Sequence, residues 1–161
     1  MTKTATAPGI ESLVVTITQE IHVKAPLETT FEALLEQLGP HNEKPDGVAM
    51  PMVLEAWPGG RWYRDLGNNN GHYWGHVQAI KRPTLLEICG PLFASYPLLS
   101  NLQYRLVEEA GGTRIDFHHL ALGQMDDDHK RGAQEGWKFM HEQARKRAES
   151  IASRRAAGRA R

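Results

Sequence analysis

The end of the chain constrains the fold most strongly, because it predicts one long amphipathic helix from Asp126 to about Ile151. Its apolar residues recur at steps of four, three, four, four and three: Ala133, Trp137, Met140, Ala144, Ala148 and Ile151. That spacing places them on one stripe of a helix with a period of about 3.6 residues. The stripe needs a large apolar surface to cover it, and the strands upstream supply the only one. The sequence therefore predicts a sheet curled around a single helix, with a space between them.

Upstream of this helix, alternating patterns predict strands, with one short helix after the first of them. The first strand is predicted at 13–23, and Ala25-Pro26 then ends it and begins the short helix. The buried face of the short helix is predicted to consist of Phe31, Leu34, Leu35 and Leu38. Six further strands are predicted at 52–56, 61–66, 72–80, 85–89, 98–108 and 113–122. Turns such as the Pro-Gly type II turn at 57–60 are short, so we expect antiparallel neighbours.

The last predicted hairpin has a register that can be read from its alternation. The apolar face of its second strand carries Ile115, Phe117, His119 and Ala121, and Leu102, Tyr104 and Leu106 share a face of the first. We expect these faces to point inward, because a slip of one residue would bury Arg114 and Asp116 instead. His119 is therefore predicted to point inward and His118 outward.

Composition indicates one domain without a strong charge preference. The 161 residues carry 19 basic and 19 acidic side chains, so no net charge favours nucleic acid or a membrane surface. A single cysteine allows no internal disulfide, and no apolar run resembles a signal peptide or membrane span, so a cytoplasmic location is expected. We predict a flexible tail at 1–12, one domain at 13–152 and a basic tail at 153–161. The basic tail is interpreted as a solvated helix end rather than a nucleic-acid or membrane segment, because no aromatic residue lies among its charges.

The eight histidines do not form a standard metal-binding pattern. His72 and His76 lie about 13 Å apart on a predicted strand, too far to share an ion. His141-Glu142 begins like a zinc-protease helix, but Arg145 occupies the place of the second histidine. The sequence also lacks a phosphate-binding glycine loop and a nucleophile elbow. It therefore predicts no metal site, no cofactor and no assigned catalytic residue.

The order of several short motifs carries a resemblance over roughly residues 13–150. In chain order the sequence contains VKAPLETTFEAL, WPGGRW, KRPTLLEI, EEAGGTRIDFHH and GWKFM. This order resembles the START/Bet v 1-like (SRPBCC) superfamily, and within it the small bacterial proteins similar to the C-terminal domain of the heat-shock-protein-90 ATPase activator. The resemblance implies an α+β helix-grip fold, in which a curved seven-stranded antiparallel sheet surrounds a long C-terminal helix, with a short helix after strand 1. It does not imply one activity.

Inward-facing aromatic side chains and one histidine are the candidate walls of a cavity under the helix. The predicted ligand-binding residues are Leu54, Trp62, Tyr73, Phe93, Tyr104, Phe117, His119 and Trp137. A mostly apolar wall with a few polar anchors is typical of small-molecule sites, although each side chain alone also fits ordinary core packing. For His119 two interpretations stay open: a neighbour such as a Tyr hydroxyl satisfies it, or a ligand does. Phe93, on the Gly90–Pro97 loop, is expected to form part of a lid.

The residues leave three functions open. The first is a protein that binds a hydrophobic or aromatic small molecule, as a monomer or homodimer, with no nucleic-acid or membrane partner. The second is an enzyme resembling polyketide cyclases or aromatases, with His119 and a tyrosine as acid–base groups. The third is a chaperone cofactor, which we disfavour because the family's chaperone activator carries a separate N-terminal domain and only about a dozen residues precede the first strand here.

Overall fold

The computed structural model describes residues 9–159, and most of them belong to one antiparallel sheet and two helices. In chain order the elements are a 3-10 turn (Ile10–Leu13), β1 (Val14–Val23), α1 (Leu27–Leu38), β2 (Val53–Leu54), β3 (Arg61–Gly67), β4 (Asn70–Lys81), β5 (Leu85–Gly90), β6 (Leu98–Glu109), β7 (Gly112–Gly123) and α2 (Asp127–Arg159). The seven strands are ordered β1-β7-β6-β5-β4-β3-β2, and every neighbouring pair is antiparallel. The predicted fold class is confirmed: the curved sheet partly surrounds α2, and α1 follows the first strand.

The central hairpin, β6 and β7, has the predicted register. Ile115, Phe117 and His119 are each at most 1% exposed, whereas His118 faces solvent. His119 lies opposite Ile17 on one neighbouring strand and Leu102 on the other. The concave face of the sheet therefore carries the core, and the imidazole of His119 lies within it.

Helix α2 buries the predicted stripe. Its buried residues are Ala133, Trp137, Met140, His141, Ala144 and Ala148, and Ile151 is half-buried. Its C-terminal half packs on α1, where Arg155 donates a hydrogen bond to the Thr29 hydroxyl at 3.0 Å and Arg147 donates one to the Gln37 side-chain oxygen at 3.4 Å. The N-terminal half is thereby held over the concave face of the sheet.

The structure changes the expected ends of the chain. Helix α2 continues to Arg159 instead of ending near Ile151, because alanine and arginine are strong helix formers. Most of the predicted basic tail at 153–161 is thus helical, with exposed side chains. Part of the predicted tail at 1–12 forms the turn Ile10–Leu13, and residues 1–8 and 160–161 lie outside the described residues.

The connection from α1 to the sheet brings a loop beside α2. Helix α1 ends at Gly39, whose carbonyl accepts a hydrogen bond from the Met52 amide at 3.0 Å. Within this connection, the Asn42 carbonyl accepts a bond from the Met50 amide at 2.8 Å. These two bonds fix residues 42–50 at both ends.

The turn that follows β2 has the predicted type. Gly59 has a φ of 83°, and the Gly60 amide donates a hydrogen bond to the Trp57 carbonyl at 2.8 Å, as a type II turn requires.

Candidate functional site

The interior between α2 and strands β6 and β7 is filled by five side chains, which we call the sealed core. They are Tyr104, Phe117, His119, Trp137 and His141, and each is at most 4% exposed. The Phe117 ring centre lies 4.8 Å from that of Tyr104, 5.1 Å from that of Trp137 and 4.5 Å from that of His141. These are ordinary packing distances between aromatic rings, so the sealed core is packed and not a cavity.

His119 points inward as predicted, and protein groups satisfy both of its ring nitrogens. The indole Nε1 of Trp137 donates to Nδ1 at 3.0 Å, so the proton of the neutral ring lies on Nε2, which donates to the Ser100 hydroxyl at 2.9 Å. Burial lowers the pKa of His119 to about 4, and nearby His129 adds to the effect. The partner is not the expected Tyr hydroxyl, and His119 is a neutral, internally bonded group near pH 7.

A second buried histidine, His141, was missed by the sequence analysis. Its Nδ1 bonds the side-chain oxygen of Gln19 at 2.5 Å, and its Nε2 accepts from the Tyr104 hydroxyl at 3.2 Å. Burial lowers the pKa of His141 to about 3 and raises that of Tyr104 well above its usual value. The signal that could have found it is spacing, because His141 follows Trp137 by four residues on the buried stripe.

Tyr73 was predicted to line the cavity, and the structure contradicts this. Its side chain is 45% exposed, and its hydroxyl bonds Nδ1 of His76 at 3.0 Å on the outer surface. The cause is a β-bulge: Trp62 pairs with Gly75 and Tyr63 with Tyr73, which leaves Trp74 as an extra residue in β4. The bulge reverses the alternation, so that Trp74 turns toward the core in place of Tyr73.

Two other predicted residues lie at the β2–β3 end of the interior. Trp62 is fully buried, its Nε1 donates to the Leu38 carbonyl at 2.8 Å, and its ring packs edge-on against Trp74 at 5.1 Å. Leu54 pairs with Trp62 across the strands and is half-buried. Trp62 thereby supports Trp74 from within the core.

An open space, which we call the aromatic cleft, lies where the N-terminal half of α2 faces residues 42–50. It has a volume of about 120 Å³. Its apolar walls are formed by Met50, Trp74, Phe93, Ala133, Trp137, Phe139 and Met140. Its polar lining residues are Asn42, Glu43 and Lys44. Of the eight predicted ligand-binding residues, only Phe93 and Trp137 line it. Phe93 is 36% exposed and lies on the loop between β5 and β6, and its role as a lid stays a prediction.

Two glycines of α2 also line the aromatic cleft. Gly132 and Gly136 are four residues apart and therefore lie on one side of the helix. A Cβ atom added at either position would meet no other atom within 4 Å. The absence of side chains at these positions, not a tight backbone contact, leaves the space open.

A larger groove of about 1000 Å³ runs outside the sheet edge, between β1 and α2. It is a broad surface groove, and its walls carry charges of both signs, among them Glu20, Lys138 and Lys146. Gln19 and His141 lie on its inner wall, where they bond each other. An apolar small molecule would be enclosed less well here than in the aromatic cleft, so the cleft is the candidate site.

Further observations limit the chemistry of the described chain. Between residues 9 and 159, no group of three or more His, Cys, Asp or Glu side chains is placed to hold a metal ion. In the same range, neither helix has a stretch long and apolar enough to cross a membrane.

Comparison with known proteins gives structural relatives only. No family model and no curated protein matches the sequence. An AHSA1-like protein from Aeromonas hydrophila has a TM-score of 0.60 and 16% identity, covering 85% of this chain and 94% of that one. Ara h 8.0201 has a TM-score of 0.63 and 14% identity, covering 85% and 99%.

A third relative is a known biosynthetic protein. The di-domain ARO/CYC StfQ from the steffimycin biosynthetic pathway has a TM-score of 0.61 and 12% identity. The match covers 92% of this chain and 53% of that one. At these identities the three likenesses show a shared fold and no shared activity.

Proposed function

The chain has the helix-grip fold of the START/Bet v 1-like superfamily, and from this premise we propose that it binds a hydrophobic, aromatic small molecule in the aromatic cleft. The cleft lies between the long helix and the open end of the sheet. Its walls are mostly apolar and aromatic, with a few polar groups from residues 42–44, which is the usual composition of a small-molecule site.

The glycine pair carries the proposal. A glycine inside a helix costs about 1 kcal/mol relative to alanine, so two in one turn weaken α2. No neighbouring atom explains them, because an added Cβ at Gly132 or Gly136 meets nothing within 4 Å. Both positions line the same aromatic space. The two glycines are explained if a ligand occupies the aromatic cleft, because side chains at these positions would fill it.

The volume of the cleft limits the size of the ligand group that it can enclose. An apolar cavity of about 150 Å³ is enough for one benzene ring. The cleft, at about 120 Å³ and open on one side, therefore fits a single aromatic ring or a short apolar group. Trp137 and Trp74 both line the cleft and supply aromatic contacts for such a ring.

The test uses toluene as a one-ring probe, with its dissociation constant measured by ligand-observed NMR. Gly136→Leu fills the cleft and should weaken toluene binding at least tenfold without lowering the melting temperature. Gly158→Leu is the matched control, since Gly158 is also a helical glycine with open space around it but does not line the cleft. Toluene that fails to bind the wild type, or that binds both variants equally, overturns the proposal.

Two other functions are alternatives of lower rank. An enzyme of the cyclase or aromatase type would use a buried histidine as a base, but both His119 and His141 have their ring nitrogens bonded within the protein. Turnover of an identified ligand would favour it. A chaperone cofactor would be favoured by specific capture of the chaperone in a pull-down.

A further inference from the structure

The ring of Phe93 packs against two other rings, and we call the position that it occupies the slot. It stacks on the imidazole of His129, with ring centres 4.8 Å apart and an angle of 12° between the planes. The Trp74 ring centre lies 5.6 Å from that of Phe93, with an angle of 59° between the planes. Phe93 is nevertheless 36% exposed and belongs to the connection between β5 and β6, not to a strand or helix. The position of the Phe93 ring is therefore bounded by an imidazole and an indole, and both can contact another planar ring in its place.

His129 has an unsatisfied atom beside the slot. Its Nδ1 is hydrogen-bonded to the Tyr96 hydroxyl, but its Nε2 has no partner. Among residues 9–159, this is the one buried side-chain nitrogen or oxygen atom left without a hydrogen bond. Buried polar atoms in proteins are nearly always bonded, so an exception requires an explanation. Residues 9–159 offer no group for this nitrogen, and a ligand group would supply its missing hydrogen bond.

The slot and the aromatic cleft adjoin each other. Phe93 and Trp74 belong to both, and Gly132 and Ala133 of the cleft follow His129 by one turn of α2. If the Phe93 ring moves outward, the slot that it leaves becomes continuous with the cleft. The joined space holds two rings of a ligand, the first in the aromatic cleft and the second in the former position of Phe93. The second ring then contacts the imidazole of His129.

We propose that Phe93 is a replaceable plug, and that a planar two-ring aromatic ligand with a hydroxyl group displaces it and hydrogen-bonds Nε2 of His129. This inference rests on the proposed function, since the first ring of the ligand occupies the aromatic cleft. A hydroxyl group is proposed because it can bond Nε2 of His129 in either tautomer of the imidazole. If the Tyr96 hydroxyl donates to Nδ1, then Nε2 carries the proton and donates; in the other tautomer Nε2 accepts. A hydroxyl group serves either case, because it both donates and accepts.

The test compares 2-naphthol with naphthalene, which differ only in the hydroxyl group, by isothermal titration calorimetry. The wild type should bind 2-naphthol about tenfold more tightly, the ratio expected for one hydrogen bond to an otherwise unsatisfied buried group. His129→Phe keeps a ring under the slot and should reduce that ratio to about one. His118→Phe, at an exposed histidine, is the matched control and should leave it unchanged. Phe93→Ala should tighten the binding of both probes several-fold.

The outcomes separate this inference from the function on which it rests. An unchanged preference for 2-naphthol in His129→Phe overturns the proposed hydrogen bond between the ligand hydroxyl and Nε2 of His129. Unchanged or weaker binding of both probes by Phe93→Ala overturns the proposal that the ligand displaces the Phe93 ring. Either result can occur while toluene still binds in the aromatic cleft, which needs no movement of Phe93. Failure of toluene, naphthalene and 2-naphthol alike overturns the proposed function and this inference together.

Discussion

The sealed core and the aromatic cleft lie against the same helix and share Trp137, yet they differ in how completely they are filled. In the sealed core, Phe117 is fully buried, and His119 and His141 have protein partners at both ring nitrogens. In the aromatic cleft, two glycines leave open space and one aromatic ring is partly exposed. The boundary between them falls at Trp137, which bonds His119 on one side and lines the cleft on the other.

If the proposed function holds, the two ends of one interior have different roles: the sealed core stabilises the fold, and the aromatic cleft binds the ligand. A ligand in the sealed core would have to displace packed rings and replace several hydrogen bonds. A ligand in the aromatic cleft displaces at most Phe93. The four predictions below test whether the two regions respond as differently as their packing indicates.

The largest effect is expected from Trp137→Ala. The substitution removes a side chain that is 4% exposed and leaves Nδ1 of His119 without its donor. We expect the free energy of unfolding to fall by about 3–5 kcal/mol, measured by urea denaturation. Trp57→Ala is the control, since Trp57 is 57% exposed and its loss should change stability by less than about 0.5 kcal/mol. A loss below about 1 kcal/mol for Trp137→Ala would contradict the description of the sealed core.

Acid should destabilise the protein through the two buried histidines. Burial lowers the pKa of His119 to about 4 and that of His141 to about 3, from 6.5 in the unfolded chain. Below pH 6.5 the unfolded chain binds protons that the folded one does not, so stability falls as pH falls. Well below pH 6.5 each histidine contributes about 1.4 kcal/mol per pH unit, and about half of that at pH 6.5 itself, so the two together contribute about 3 kcal/mol between pH 6.5 and 5.

The measurement is urea denaturation at a series of pH values. His141→Gln should reduce the loss between pH 6.5 and 5 by about half, because one of the two titrating groups is gone. The exposed His22 works in the opposite sense, since its bond to Glu109 raises its pKa and favours the folded state at low pH. A stability that stays constant over this range would show that the sealed core admits protons and water.

Removal of a tyrosine hydroxyl should lower the stability of the fold more on the buried face of the sheet than on its exposed face. Tyr104→Phe leaves Nε2 of His141 unpaired in a buried position, which should destabilise the fold by about 1–3 kcal/mol. Tyr73→Phe breaks a similar bond, to His76, on the exposed face and should change stability by less than about 0.5 kcal/mol. Thermal unfolding of the two variants compares them directly. Equal effects would mean that burial does not distinguish the two tyrosines.

The sequence predicts the sealed core better than the aromatic cleft, for physical reasons. The inward positions of His119 and Trp137 follow from the periods of a strand and a helix, which every residue of the element obeys. Tyr73 was placed wrongly because a bulge adds one residue to β4 and exchanges its two faces, and the alternation of the sequence was read without that exchange.

The cleft depends on contacts between distant segments. Residues 42–50 form a loop without a period, so nothing in their sequence indicates that they approach α2. Ser100 as the partner of His119 depends in the same way on how adjacent strands and the helix dock. Whether any of the eight predicted residues contacts a ligand stays a prediction.

The smallest effect is expected in the aromatic cleft, and it has the opposite sign. Gly132→Ala adds a methyl group into open space and improves helix propensity, so it should stabilise the fold by about 1 kcal/mol in thermal unfolding. In the sealed part of the same helix, Ala144→Leu should destabilise by about 1–3 kcal/mol, since Ala144 is 3% exposed and its surroundings are filled. Because the added methyl group at 132 also narrows the cleft, toluene should bind this variant more weakly than the wild type, even though the fold is more stable. A gain in stability with weaker binding is the result expected if the glycine serves a ligand. A loss of stability would mean that neighbouring groups already fill the space, and the contrast between the two regions would fail at this position.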